Sequence, residues 1–175
     1  MKKLAEIEIS KTFNLGGIEF IKFSDKDGVT VAVAKDILFN STFGKDNNLT
    51  QSKVIERLNN EILPKIVKEI GEENVCDMQT DLTTLDGLKP YETMTSKISL
   101  PTFDFYRDNV EIFDKYKVDA WWWLATPESA QPHYSPSWIT CVSPSGGIDD
   151  VNCNDNVGVR PVLSFVSSIS VSCED

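Results

Sequence analysis

His133 is the one histidine in the chain, and any acid–base or nucleophilic chemistry would turn on it, because imidazole titrates near neutrality. A serine or cysteine nucleophile would need that imidazole beside it and an orienting carboxylate behind it. No serine or cysteine stands in a strand-to-helix nucleophile motif, and no carboxylate is placed to orient His133. Catalysis is therefore not expected, and no cofactor is called for. The four cysteines, Cys76, Cys141, Cys153 and Cys173, form no C-x-x-C pair, so a zinc site is not expected either. They read as reduced, mostly buried thiols, and a Cys141–Cys153 bridge would require the two to meet on paired strands. The run Asp150-Val151-Asn152-Cys153-Asn154-Asp155-Asn156 offers alternate oxygens, and calcium takes roughly 6–8 of them. On a strand such side chains line a surface and do not wrap an ion, so no metal is expected.

The chemistry these residues suit is recognition. Trp121-Trp122-Trp123-Leu124-Ala125-Thr126-Pro127 and Gly158-Val159-Arg160-Pro161-Val162-Leu163-Ser164-Phe165 bracket a polar interval. Its candidate ligand-binding residues are His133, Tyr134, Ser135, Ser137, Trp138, Asp149, Asp150, Asn152, Asn154, Asp155 and Asn156. Tyr and Trp supply rigid contact area, while Ser and Asn supply adaptable hydrogen bonds. For Trp138, core packing and ligand contact both stay open. The brackets read as scaffold. Trp121, Trp122 and Trp123 alternate along a strand, two to one side and one to the other, and at least two are expected in the core. Arg160 stands in an apolar strand and is expected to be buried against a carboxylate. Pro161 predicts an edge position or a bulge.

The elements that position this interval can be traced from the N-terminus. Ile18–Phe23 and Val29–Ala34, joined by Asp25-Lys26-Asp27-Gly28, predict a β-hairpin. Asn47–Ser52 offers N-cap residues. Val54, Ile55, Leu58, Ile62, Ile66 and Ile70 then mark one face of a helix, which Pro64 should kink or restart and Gly71 should end. Asp86-Gly87 marks a turn, Ser96–Leu100 a short strand, and Phe103–Phe113 short helices. Strands are predicted over 121–125, 138–143, 148–152 and 157–165, with a turn at Pro144-Ser145-Gly146-Gly147. No repeat or linker divides the chain. The expectation is one α+β domain over 1–175, with helices first and a small antiparallel sheet at the end.

Composition agrees with a packed domain. At 175 residues and 41% hydrophobic, the chain fits one core and is too apolar for disorder. No apolar run approaches the ~18 residues of a membrane span. Lys2 and Lys3 resemble the start of a signal peptide, but Glu6 and Glu8 interrupt any apolar segment. A cytoplasmic protein at synthesis is expected, and one that joins a virion assembled there would look the same. The net charge is −10. Within 118–175, Arg160 is the sole basic residue, against Asp119, Glu128, Asp149, Asp150, Asp155, Glu174 and Asp175. Nucleic acid is therefore not an expected partner.

The order Gly-Gly-Ile-Glu-Phe, Val-Ala-Lys-Asp-Ile-Leu and Leu-Asn-Asn-Glu-Ile-Leu in the first half, then Trp-Trp-Trp-Leu-Ala-Thr-Pro, Val-Ser-Pro-Ser-Gly-Gly and Gly-Val-Arg-Pro-Val-Leu, resembles a domain family common in phages and gut bacteria. The resemblance spans about Phe13 to Ser168 and implies a C-type-lectin-like fold. Some members resemble the variable proteins of diversity-generating retroelements, whose adenine mutation of Asn codons yields Asn, Asp, Ser, Gly, Tyr and His. The fold's lectin sites use Glu-Pro-Asn or Gln-Pro-Asp followed by Trp-Asn-Asp; here Gln131-Pro132-His133 and Trp138-Ile139-Thr140 lack those ligands. The fold also resembles the formylglycine-generating enzyme, but Cys141 and Cys153 lack that enzyme's motif context. The resemblance thus implies a non-catalytic receptor-type module, with a protein or glycan surface as ligand. The alternative is a small acidic inhibitor of a host defence protein that imitates nucleic acid. Salt discriminates them, since an electrostatic mimic loses its partner steeply as ionic strength rises.

Overall fold

The computed structural model describes residues 1–132 and 135–173. In chain order the strands are β1 (Lys2–Lys3), β2 (Thr12–Leu15), β3 (Ile18–Lys26), β4 (Val29–Ala34) and β5 (Phe39–Ser41). After a helical segment come β6 (Val75–Cys76), β7 (Met78–Thr80), β8 (Met94–Ser96) and β9 (Ile98–Ser99). The last third holds β10 (Trp122–Pro127), β11 (Trp138–Val142), β12 (Ile148–Asn152), β13 (Val157–Val159), β14 (Val162–Val166) and β15 (Ser170–Val171). The helices are α1 (Lys53–Arg57), α2 (Leu63–Ile70), α3 (Phe103–Asp108) and α4 (Val110–Lys115).

Two tight turns set the register of the N-terminal strands. Gly16-Gly17 and Asp27-Gly28 all have positive φ, between 52° and 76°, the turn geometry whose twist suits two-residue hairpins. The β3–β4 register shifts between Lys22 and Ser24, leaving Phe23 as a bulge. These strands belong to a six-stranded sheet, β2-β3-β4-β14-β6, in which β9 also pairs with β14.

The second sheet has the order β12-β11-β10-β13-β5. The mixed α+β composition follows the expectation, but the arrangement does not. The expected N-terminal hairpin is present as β3 and β4, but the C-terminal sheet is not purely antiparallel: it contains a parallel pair, β10 with β13, and borrows β5 from the first half. The physical cause lies at Arg160-Pro161. The predicted strand 157–165 breaks there, because proline has no N–H to continue a ladder. β13 stays in the five-stranded sheet while β14 crosses into the six-stranded one and pairs with β4. Pro161 is therefore a corner between sheets, neither an edge nor a bulge, and its carbonyl accepts the Ala34 N–H at 2.9 Å.

The helical segment 53–70 is capped by Ser52, whose Oγ accepts the Ile55 N–H at 3.0 Å. It widens into a π turn over Leu58–Ile62, where the Leu63 N–H reaches back to the Leu58 carbonyl. The wider turn lets the chain restart with Pro64 in the first turn of α2, where its missing N–H costs least. Gly71 closes the segment, its N–H bonded to the Val67 carbonyl. Val54, Leu58, Ile62 and Ile66 face the larger core, with Trp123, Ala125 and Ile139 of one sheet and Phe13, Phe20, Leu163 and Phe165 of the other. On the opposite side Tyr106 and Phe113 of α3 and α4 pack with Trp122, Leu124, Ile21 and Val162. Both sheets are thus covered on both faces where they join. Among the described residues no helix is long and apolar enough to cross a membrane.

Candidate functional site

The polar interval begins where β10 ends, and its first residues are fastened from below. The Leu85 N–H donates to the Pro127 carbonyl at 2.9 Å, and the Glu128 N–H to the Trp138 carbonyl at 3.1 Å. Ser129 Oγ donates to Asp86 Oδ2 at 2.7 Å and accepts the Gln131 N–H at 3.1 Å. Hydrogen bonds from Thr84 and Ser129 hold the Asp86 carboxyl below its ordinary range. Asn47, fully buried, ties the remainder. Its Nδ2 donates to the carbonyls of Ser129 and Trp138, its backbone N–H donates to the Pro136 carbonyl at 2.7 Å, and its Oδ1 accepts from Tyr91 Oη. In the sequence Asn47 is only one of several N-cap candidates. The side chains that do cap there are Asn48 and Ser52. No local pattern could have marked Asn47, since its side-chain partners lie 44, 82 and 91 residues away.

β11 and β12 carry much of the predicted binding set. β11 is buried over Ile139–Val142, and β12 is the edge strand beside it. Ser143 N–H bonds Gly147 O at 2.8 Å and Cys153 N–H bonds Ser137 O at 2.6 Å. Bonded pairs alternate along an antiparallel ladder. Cys141 with Asp149 and Ile139 with Val151 therefore bond inward, and the amides of Ile148, Asp150 and Asn152 point away from the sheet. Asp149 Oδ1 accepts the Asp150 N–H at 2.8 Å, so a carboxylate covers part of this free edge.

The predicted set does not form one face. Strand alternation puts Asp149 with Cys141 and Val151 on the side of the larger core. Asp150 and Asn152 lie on the other side, with Trp138 directly opposite Asn152. Trp138 is half-buried. Asn152 Oδ1 accepts the Asn154 N–H at 3.0 Å and its carbonyl accepts the Asp155 N–H at 2.9 Å. That turn leaves Asn154, Asp155 and Asn156 exposed. Ser135 Oγ donates to Ser137 Oγ at 2.8 Å on the loop before β11. His133 and Tyr134 lie outside the described residues. Among the described residues no group of three or more His, Cys, Asp or Glu side chains is close enough to hold a metal ion.

The four cysteines are unbridged. Cys141 is paired in register with Asp149, and Cys153 lies about 13 Å further along at strand rise. Burial and, secondarily, Asp149 and Asp150 push the Cys141 thiol up to about 12, so it has almost no thiolate character near neutrality.

The bracket residues differ from expectation at two points. Trp122 and Trp123 are buried on opposite faces of β10, in the smaller and larger cores respectively. Trp121 stands before the strand begins and is 40% exposed; it serves the sheet through its carbonyl, which accepts the Gly158 N–H at 3.0 Å. Arg160 is buried but, among the described residues, has no carboxylate in ion-pair range. Its Nε donates to the Ala34 carbonyl at 3.1 Å and its Nη2 to the Tyr116 carbonyl at 3.4 Å, while the guanidinium lies 4.7 Å from the Trp122 ring. Backbone oxygens and an aromatic face replace the expected acid. Burial pushes the Arg160 guanidinium down to about 10, against a smaller upward pull from Asp36. Compared with family models, curated proteins and solved structures, the chain matches none.

Proposed function

We propose that the chain is a non-catalytic ligand-binding module with a C-type-lectin-like fold, of phage or prophage origin, synthesised in the cytoplasm and carried on a virion. Its ligand is a protein or glycan surface. The face comprises Gln131, Ser135 and Ser137, Trp138 with Asp150 and Asn152, and the Asn154–Asn156 turn. Diversification of this interval by a retroelement belongs to the same reading, since its Asn, Asp and Ser positions are the products such mutation leaves. The observation that supports it is the contrast in burial. Exposed amides, hydroxyls and carboxylates at 135 and 154–156 sit on a loop and a turn between strands whose scaffold residues, Trp123, Ile139, Cys141 and Val159, are fully buried. A rigid support with changeable polar tips is what antibody-like recognition requires.

The test is a binding screen of the purified chain against immobilised glycans and host surface proteins. A second protein, with Ser135, Asp150, Asn154, Asp155 and Asn156 changed to alanine, is screened in parallel. We expect a ligand held by the parent at both low and physiological ionic strength, and lost by a variant that melts as the parent does. A variant that binds equally well would remove this interval as the site. Steep loss of the parent's ligand with salt would favour acidic mimicry.

A further inference from the structure

The sheet edges are not equally covered. At β5, Arg57 Nη1 donates to the Asn40 carbonyl at 3.0 Å, its guanidinium lies 4.0 Å from the Phe39 ring, and Trp123 Nε1 donates to the Ser41 carbonyl at 2.9 Å. β2, at the end of the larger sheet, gives its Asn14 N–H to the Ser172 carbonyl at 2.7 Å. β12 pairs with β11, and among the described residues no strand lies along its outer side. By the alternation of that ladder, the outward main-chain groups are those of Ile148, Asp150 and Asn152. Asp149 Oδ1 takes the Asp150 N–H, and the Asn152 carbonyl takes the Asp155 N–H. The Ile148 N–H and C=O, the Asp150 C=O and the Asn152 N–H are left for a partner. Ile148 is also among the few large apolar side chains left exposed, at 37%.

We propose that β12 takes an extended, basic segment of a partner protein as an added strand. Such strands bind through main-chain hydrogen bonds, and side chains at alternate positions set the specificity. Asp149 and Asp150 point to opposite faces of β12, so a cationic side chain on either face of the incoming strand meets a carboxylate. The chain supplies little charge of its own to answer them. Arg160, the sole basic residue within 118–175, is buried, and Lys117 is paired with Asp114 at 3.5 Å. A second copy of the chain is the wrong occupant. Two β12 edges would set acids against acids, and like charges directly opposite are destabilising. The inference rests on reading the chain as a binding module, and it narrows the ligand to a protein segment held by main chain and not by the rim side chains.

The probe is an eight-residue peptide alternating threonine and lysine, titrated into the isotope-labelled chain and followed by amide NMR. The signals of Ile148, Asp150 and Asn152 should shift saturably, and hydrogen exchange at Ile148 and Asn152 should slow. A peptide with glutamate for lysine should bind about tenfold or more weakly, since its charges repel Asp149 and Asp150. A peptide with proline for threonine keeps the charge but cannot join a ladder, and it should not bind. Ile148→Pro removes an outward N–H that β11 does not use, so this variant should fold as the parent does and lose the peptide. Should it not fold, Asp149→Asn with Asp150→Asn should abolish the preference for lysine over glutamate. Equal binding of all three peptides, or shifts confined to other residues, overturns the proposal. So does a concentration-dependent shift of the same amides without peptide, which would make a second copy the occupant. A ligand from the surface screen that Ile148→Pro still holds would remove the edge and leave the rim reading standing.

Discussion

The Asp25 carboxylate accepts from Lys22 Nζ at 2.7 Å, Ser167 Oγ at 2.8 Å and Thr30 Oγ1 at 3.2 Å. Lys22 itself is buried, and its ammonium also donates to the Leu4 carbonyl at 2.8 Å. This cluster joins the N-terminal segment, the β3 bulge and the end of β14. Desolvation opposes the charged form of Asp25, but the hydrogen bonds from Lys22, Ser167 and Thr30 outweigh it and hold the carboxyl below its ordinary range. A depressed folded value means that the contribution is complete above the unfolded value near 3.9 and is lost as pH falls through the folded one. Asp25→Asn should therefore lose about 3 kcal/mol at neutral pH, because Lys22 stays buried without its acid. The variant's urea midpoint should also fall less steeply than the parent's between about pH 4 and 2. Some acid sensitivity should remain, because Lys35 holds Glu19 down in the same window. Parallel acid profiles for the two proteins would show that the network does not store this energy.

At the scale of elements, β13 has the least room. A Cβ on Gly158 would come within 2.5 Å of Ile37 Cδ1 and 2.8 Å of the Trp121 carbonyl oxygen. The second of these atoms is backbone and cannot rotate away, and it is the acceptor of the Gly158 N–H. Gly158→Ala should thus separate β13 from β10, whose registered pairing is Trp122 with Gly158. Overpacking of this kind costs about 1–3 kcal/mol, read as a lower urea midpoint with an unchanged slope. A midpoint equal to the parent's would mean that the two sheets have more freedom here than the contacts indicate.

The whole molecule divides its tolerance between interior and rim. Trp122, Leu124, Val159 and Leu163 are at most 2% exposed and sit in two cores that bind both sheets to the helices. Truncating such side chains costs roughly 2–5 kcal/mol each. Ser135, Asn154, Asp155 and Asn156 are exposed, and surface changes usually stay within about 0.5 kcal/mol. Two libraries, one randomised at each set, should give mostly folded soluble members for the rim and few for the interior. Similar survival in both would contradict the separation of scaffold from face. Asn152 and Asp149 should behave between the two, since their carboxamide and carboxylate hold backbone amides.

Local signals in the chain determined most of the elements. The Asp27-Gly28 turn, the apolar stripe from Val54 to Ile66, the Ser52 cap and the alternation of Trp122 with Trp123 all act over a few residues, so neighbouring side chains alone specify them. Which sheet each strand would join was decided only in three dimensions. β14 lies at the centre of the larger sheet because its β4 partner comes from far earlier in the chain, and no local periodicity encodes such a pairing. The same reason separates Asp149 from Asp150 on opposite faces of one edge strand, places Asn47 under a loop it precedes by more than eighty residues, and leaves Arg160 against carbonyls and a Trp ring in place of an acid. Sequence determined which residues were polar, apolar or turn-forming. Tertiary structure decided their partners, because burial and hydrogen bonding between distant segments depend on where the chain returns to itself.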